Sequence, residues 1–301
     1  MKLLEHQHIN KKKWDKTLAS SSFPFVYAAS WYLDAVHPGW QAIADENYTC
    51  LFPVPVKKRS AITYAIKPFF TQQLGWFGNP TPAKEKETIA LLEKNFRYID
   101  FSIRTRPPVN EKKWQVKENI NYELNLTPGY EKISKKYSEN CRRNLKKSLK
   151  NGHSACEDLS MDEMIKLFKR TKGRELKEMT SAHYKIIRSV YEAAEKKNAA
   201  FITGIKNKNG KLISAVLFIH WENRIYHLFS ASDEEGKRSG AAPAVIDHCI
   251  KKFAGTTTIL DFEGSNVAGL ARFYSGFGSE RKMYYSMRYN NLPFFLKWLK
   301  K

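Results

Sequence analysis

The sequence predicts an α/β protein of two units, residues 1–127 and 128–301, and three observations carry that expectation. The chain has 301 residues, 42% hydrophobic and 13% aromatic, enough to bury a core in each of two domains and too apolar for a disordered chain. Thr127-Pro128-Gly129 is the clearest break between periodic segments. On both sides of it the pattern runs in the same rough order of β-hairpin, helix, strand and closing strands, as a strongly diverged duplication would, although no repeated residues support it directly.

The elements follow in order. Strands are expected at 40–44 and 48–56 around the turn Asp45-Glu46-Asn47, and again at 61–66. Ile89, Leu92 and Phe96 fall near helical spacing and predict a helix over 84–96, followed by a strand at 98–103. After the Pro107-Pro108 break, 114–126 reads as a strand pair. Past the central break, Ile133, Tyr137, Cys141, Leu145 and Leu149 recur every fourth residue, predicting one helix over 130–150 with a narrow apolar stripe and a stop at Asn151-Gly152. Two more helices are expected at 161–179 and 181–197. From Phe201 the period changes: strands at 201–206, 211–220 and 224–232, a helix at 241–253, a strand at 257–263, a short helix at 266–276 and a final strand at 280–289.

Composition excludes several classes. No apolar run approaches the roughly 18 residues of a membrane span, and residues 1–14 lack the apolar core of a secretory signal. The four cysteines, Cys50, Cys141, Cys156 and Cys249, are scattered without paired spacing, which fits reduced thiols and gives neither a disulfide framework nor a zinc site. A cytoplasmic protein without a transmembrane segment, a metal or an obligate protein partner is expected. The net charge of +21 is uneven: residues 1–125 carry 18 basic and 12 acidic side chains, the remainder 33 and 18, and 131–151 alone holds eight basic and two acidic. Such a field attracts polyanions such as RNA or a nucleotide-linked substrate, and equally describes a solvated helix face.

The segment 230–246 carries the most chemical information. A strand ends, small residues follow, and a helix begins after Lys237-x-x-Gly240-x-Ala242. Uncovered N–H groups at a helix start, aligned with the helix dipole, suit a pyrophosphate. Lys237 and Arg238 add positive charge, and Pro243 fits the first turn where its missing donor costs little. A glycine at such a junction also serves as an ordinary turn. Further on, Asp261-Phe-Glu-Gly264 ends a strand and Phe273-Tyr-Ser-Gly-Phe-Gly278 ends a short helix.

Together these segments resemble the GNAT acyl-CoA N-acyltransferase superfamily, and within it the Fem-type peptidoglycan peptidyltransferases and their relatives. Lys237-x-x-Gly240-x-Ala242 resembles the superfamily's (Arg/Gln)-x-x-Gly-x-(Gly/Ala) loop. Asp261–Gly264 and Phe273–Gly278 resemble the Fem-type strand and its Phe-Lys-x-Gly-Phe-Gly segment, with Tyr274 in place of the frequent Lys. Tyr137-Ser-x-Asn-x-Arg-Arg-Asn-Leu-Lys-Lys resembles the Asn/Arg-rich helix before the second domain. The long coiled-coil insertion of some relatives is absent. The resemblance covers most of 130–289, and the first half in outline.

It implies two tandem GNAT-like domains, each a mixed, mostly antiparallel central sheet flanked by helices. The donor loop lies in the second; in the first, the loop Gly78-Asn-Pro-Thr-Pro82 loses two N–H donors to proline, so that domain shapes the acceptor side. The implied reaction is transfer of an acyl group from acyl-CoA, as co-substrate, to an amine on an anionic or nucleotide-linked small molecule, by direct attack, since no Ser/His/Asp or Cys/His order suggests an acyl-enzyme. Two alternatives are an aminoacyl-tRNA-dependent Fem-type peptidyltransferase acting on a cell-wall precursor and a noncatalytic basic nucleic-acid-binding module. Phe229, Ser230, Ala231 and Ser232 would line the donor channel, and Lys237, Arg238, Ser239, Gly240, Ala241 and Ala242 would hold its diphosphate. Asp261 and Glu263, two apart on a strand and so on one face, are candidate bases; both also fit ion pairs with basic neighbours. Tyr274 is the candidate acid or a core aromatic. Arg142, Arg143 and His227 are candidates for acceptor binding, the arginines also for a solvated face and His227 also for a core histidine or a base. His220 and His227 lack further ligands for a metal. Phe294, Phe295 and Trp298 of the basic tail would pack back on the domain or touch a membrane surface.

Overall fold

Trp14, Trp40, Tyr27, Tyr32, Phe52 and Phe101 are all buried to within 2% of full burial and set the core of the first part of the chain. Trp14 and Trp40 meet edge to face at 5.0 Å between centroids, a favoured aromatic geometry. The computed structural model describes residues 1–59, 62–176, 179–264 and 266–294. Phe295 and Trp298 of the tail lie outside these residues.

The chain divides into two units, 1–119 together with the stretch from 283 onward, and 120–282. This differs from the expected split at 127/128. Strand Glu280–Asn290 pairs antiparallel with Tyr98–Ile103, from Tyr285↔Ile103 to Asn290↔Tyr98. The closing strand thus groups with the first unit, a long-range pairing that periodicity does not reveal.

In the first unit, Lys2–Leu4, Gln41–Ala44, Cys50–Val54 and Phe77–Gly78 form one antiparallel sheet in that order. Val56–Arg59, Ile62–Ile66, Tyr98–Ile103 and Glu280–Asn290 pair in a second run, antiparallel, parallel and antiparallel. The expected strand 48–56 therefore breaks at Pro55, which has no N–H to give a ladder, and its two pieces join different sheets. Helix Pro82–Asn95 begins at Thr81, whose side chain accepts the Lys84 N–H, with Pro82 in the first turn. Helices Lys11–Ala19 and Ser30–Val36 were not expected. The first buries only Trp14 and Leu18 among many lysines, too sparse a stripe to read.

The second unit is built on a mixed sheet ordered Trp114–Asn125, Ile259–Asp261, Arg224–Ser232, Leu212–Trp221, Ala200–Lys206 and Ser154–Cys156. All neighbours are antiparallel except Arg224–Ser232 with Ile259–Asp261. Helices Tyr130–Ser134, Glu139–Lys150 and Ala241–Phe253 cover one face through Ile133, Tyr137, Cys141, Val245, Cys249 and Ile250. Met161–Arg170 covers the other, where Phe168 stacks on Phe229 at 4.3 Å.

Several boundaries move from expectation. The 114–126 pair is one long strand, and the 257–263 strand shortens to Ile259–Asp261. The 130–150 helix breaks at Ser138, whose side chain caps the second piece by accepting the Cys141 N–H. After the break the four-residue stripe drifts out of register with a 3.6-residue turn, leaving Leu149 75% exposed. The helix at 161–179 also breaks, at Thr171, into Met161–Arg170 and Lys172–Glu175. Replacement of Trp14 by Ala is expected to lower the unfolding free energy by about 3–5 kcal/mol, measured by urea denaturation.

Candidate functional site

Strand Arg224–Ser232 is paired on both edges only at its start. Arg224, Ile225 and Tyr226 pair in parallel with Ile259, Leu260 and Asp261. Beyond Tyr226 the pairing continues on the other edge alone, with Leu212–Trp221 through Ser232↔Ser214. A one-residue slip between Leu217 and Phe218 makes Leu228 the extra residue of a β-bulge just past the parting point, and bulges bend a strand and end its pairing. From 227 onward the strand thus parts from Ile259–Asp261.

A cavity of about 320 Å³ opens beside this stretch. It is lined by His227, Ser230, Ala231 and Ser232 of the parted strand, Ser214 and Val216 next to it, Asn140, Cys141 and Asn144 of helix Glu139–Lys150, Ala242, Pro243 and Ile246 of helix Ala241–Phe253, and Arg272, Phe273 and Tyr274 of helix Ala268–Ser275. Lys172 and Lys237 bring positive charge to the rim. All of these lie within the second unit.

Below the parting point the three strands are tied by a buried charge cluster. One Arg224 Nη reaches Asp261 at 2.9 Å and Glu123 at 3.0 Å, with all three side chains under 8% exposed. Asp261 also accepts from Asn121 Nδ2 and from the Glu263 N–H, each at 2.9 Å. Burial opposes the Arg224 charge, but Asp261, Tyr226 and Glu123 outweigh it and push its pKa up. Asp261 is thus committed to structure, and it is absent from the cavity lining. Glu263 has φ +58°, outside the β region, so the strand geometry that was to place both carboxylates on one face ends at Asp261.

His227 and Tyr274 do meet in the cavity, their rings 5.9 Å apart edge to face. Burial, helped by Lys172, lowers the His227 pKa to about 3, so the imidazole is neutral at physiological pH. Burial and Glu263 push the Tyr274 phenol up to about 12, so it keeps its proton. Tyr274 stacks on Phe262 at 4.9 Å, which fixes its ring.

The expected diphosphate cradle is largely closed. Residues Glu234–Ser239 form a helix, with Asp233 accepting the Gly236 N–H and the Asp233 carbonyl accepting the Lys237 N–H. The Gly240 N–H donates to the Gly236 carbonyl. Gly240 has φ +87°, and a Cβ there would sit 2.1 Å from the Asn144 carbonyl oxygen, so this glycine serves close helix packing. Ala241 is fully buried, Pro243 has no N–H, and Arg238 and Ser239 do not line the cavity. Of the segment only Lys237 and Ala242 reach it. The sequence missed this because Asp233 is an ordinary N-cap three residues before Gly236, a signal hidden by the glycines. Gly278 likewise has φ +75° and lies against Lys136, which explains the closing glycine of Phe273–Gly278 by backbone approach.

Other expected residues sit apart. The Phe229 ring turns to Phe168, away from the cavity. Arg142 and Arg143 lie on the outer faces of their helix, one donating to the Tyr137 carbonyl and the other to Asn140 Oδ1. Asn140 and Asn144, four apart on the same helix, face the cavity instead; their spacing was the available signal. Lys172, Ser214 and Arg272 had none. Among the described residues no three His, Cys, Asp or Glu side chains gather as a metal site, and no helix is long and apolar enough to cross a membrane.

Residues 135–267 match the family described as acetyltransferase (GNAT) domain. No curated protein sequence matches the chain significantly. Among solved structures, FemX is similar with a TM-score of 0.70 over 100% of both chains at 12% identity. L-PGS from Bacillus licheniformis is similar at 0.57, covering 96% of this chain and 94% of that one at 12% identity. A tandem GNAT protein from the clavulanic acid biosynthesis pathway is similar at 0.55, covering 95% and 97% at 9% identity. The second unit thus carries a match to the GNAT domain, over less than half of the chain, and the whole chain shares the fold of these solved structures.

Two outcomes test this geometry. Arg224→Leu leaves two buried carboxylates without their cation and is expected to cost about 3–5 kcal/mol, read by chemical denaturation. His227 has a folded pKa below its unfolded value, so the unfolded chain binds more protons between the two, and the stability present above about pH 6.5 falls as pH drops toward 3. From pH 7 to pH 5 the native protein should lose about 1–2 kcal/mol more than His227→Gln, compared by urea denaturation at each pH.

Proposed function

We propose that the protein transfers an acyl group from an activated ester or thioester to an amine, by direct attack in the cavity beside the parted strand. One observation carries this reading: where the parallel pairing with Ile259–Asp261 ends at Tyr226, the strand runs on beside a cavity that also holds a neutral imidazole and a protonated phenol. The parted strand would give backbone groups to an extended donor arm. The neutral His227 imidazole accepts a hydrogen bond from the incoming amine and takes its proton in concert with formation of the bond to the acyl carbon and proton donation by Tyr274; the imidazolium then returns a proton to the phenolate, restoring both groups. Tyr274 gives its proton to the departing oxygen or sulfur as the acyl bond breaks. Positioning in a ternary complex supplies much of the rate.

The closed cradle favours a donor whose leaving group needs no diphosphate site, so the first reading of the donor is an aminoacyl-tRNA. The net +15 of residues 126–301 agrees with a polyanionic donor. Acyl-CoA is the second reading, favoured by the parted strand, along which a pantetheine arm would lie, with Lys237 and the Ala242 amide near its phosphates. In both readings the protein binds its donor as substrate, without a resident metal. We propose the first unit as the acceptor side.

The test is a transfer assay to a panel of primary amines with aminoacyl-tRNA and with acetyl-CoA. His227→Ala and Tyr274→Phe are each expected to lower kcat/KM by about 10²–10⁴-fold without loss of fold. Full activity in both variants would place the chemistry elsewhere. Binding of tRNA should weaken steeply between 50 and 200 mM salt, as about 10³-fold or more for several phosphate contacts; tight acetyl-CoA binding with no RNA affinity would reverse the order of the donors.

A further inference from the structure

The two long helices of the second unit that border the cavity also border a larger groove, of about 570 Å³, on their other side. The two spaces share no lining residue. Helix Glu139–Lys150 gives Asn140 and Asn144 to the cavity and Arg142, Lys146 and Leu149 to the groove. Helix Ala241–Phe253 gives Ala242 and Ile246 to the cavity and Asp247 and Lys251 to the groove. A ligand in the groove therefore cannot receive the acyl group directly.

The groove has a built floor. Asp247, 5% exposed, accepts from the Tyr130 and Tyr137 hydroxyls at 2.8 and 2.9 Å and pairs with Lys251 at 2.8 Å. That carboxylate is satisfied and its charge balanced. Lys135, Arg142 and Lys146 stand around it with no carboxylate within 4 Å among the described residues. Three uncompensated cations match an anion of two or three charges, and the Arg142 guanidinium suits a phosphate fork. Beside them Leu149 is 75% exposed, and with the half-buried Leu145 it lines an apolar side of the groove. Cations on one side and an apolar wall on the other, in a volume typical of small-molecule sites, ask for a ligand with a polyphosphate at one end and a flat, weakly polar ring at the other.

We propose that this groove is an accessory site for a free nucleoside di- or triphosphate, its phosphates on Lys135, Arg142 and Lys146 and its base against Leu145 and Leu149. The site is independent of the donor reading, because no residue lines both spaces. Its net charge predicts salt-sensitive binding, and its apolar wall predicts that a nucleotide binds better than pyrophosphate.

The experiment is calorimetric titration of the full chain with ADP, inorganic pyrophosphate and a five-nucleotide single-stranded RNA. It is repeated on Lys135→Glu/Lys146→Glu and on Leu149→Asp, all exposed positions whose fold is checked by circular dichroism. ADP is expected to bind at least tenfold more tightly than pyrophosphate, to lose at least tenfold in the double lysine variant, and to lose affinity in Leu149→Asp while pyrophosphate does not. Absence of ADP binding to the folded native chain overturns the proposal, as does ADP binding that the lysine variant leaves unchanged. Equal affinity for ADP and pyrophosphate overturns the nucleoside part. RNA binding more than tenfold tighter than ADP, with the same loss in the lysine variant, replaces the free nucleotide by a strand.

Discussion

The second unit depends on where one parallel strand pair stops. Arg224–Ser232 and Ile259–Asp261 share three rungs, and at the last of them Asp261 meets Arg224 and, through it, Glu123 of the next strand. A buried ion cluster is a poor source of net stability, because desolvation offsets most of the attraction. It is well suited to fixing geometry, since removing any member strands the others. The cluster pins the three strands together at one end, and the bulge at Leu228 turns the free end outward. The place of the cavity beside the parted strand follows from that pair of constraints.

This arrangement keeps Asp261 and Glu263 out of the cavity lining. Asp261 is attractive as a base on sequence grounds, being an acid at the end of a buried strand, but each of its oxygens is already engaged. Beside the cations Lys172, Lys237 and Arg272, the cavity holds two groups that are uncharged in the resting state: an imidazole lowered by burial and a phenol raised by burial. Both shifts have the same origin, the cost of charge in an apolar surround.

Much of the fold was legible in the sequence. The hairpin around residues 207–210, the helix at 241–253 and the short helix before Gly276 lie where alternation and glycine punctuation put them. The resemblance carried by Tyr137–Lys147, Lys237–Ala242 and Phe273–Gly278 pointed to the GNAT superfamily, in agreement with the domain match over 135–267 and the fold. The site was legible only in part. His227 and Tyr274 come together, and Ser230, Ala231 and Ser232 line the space. Gly240 packs against the Asn144 carbonyl, and a glycine that lets helices touch and a glycine that lets a phosphate approach look alike in one sequence. Arg142 and Asn144 sit two residues apart on one helix, and only their rotation about its axis decides that the asparagine faces the cavity and the arginine the outer groove.

The proposed donor lies along the strand past Tyr226, where the parallel pairing ends. Hydrogen–deuterium exchange of peptides covering 227–232 measures this directly. Exchange over 227–232 is expected to slow at least tenfold when the donor that supports transfer is added. Unchanged exchange over 227–232 with the donor bound, or protection appearing only in other segments, would contradict it.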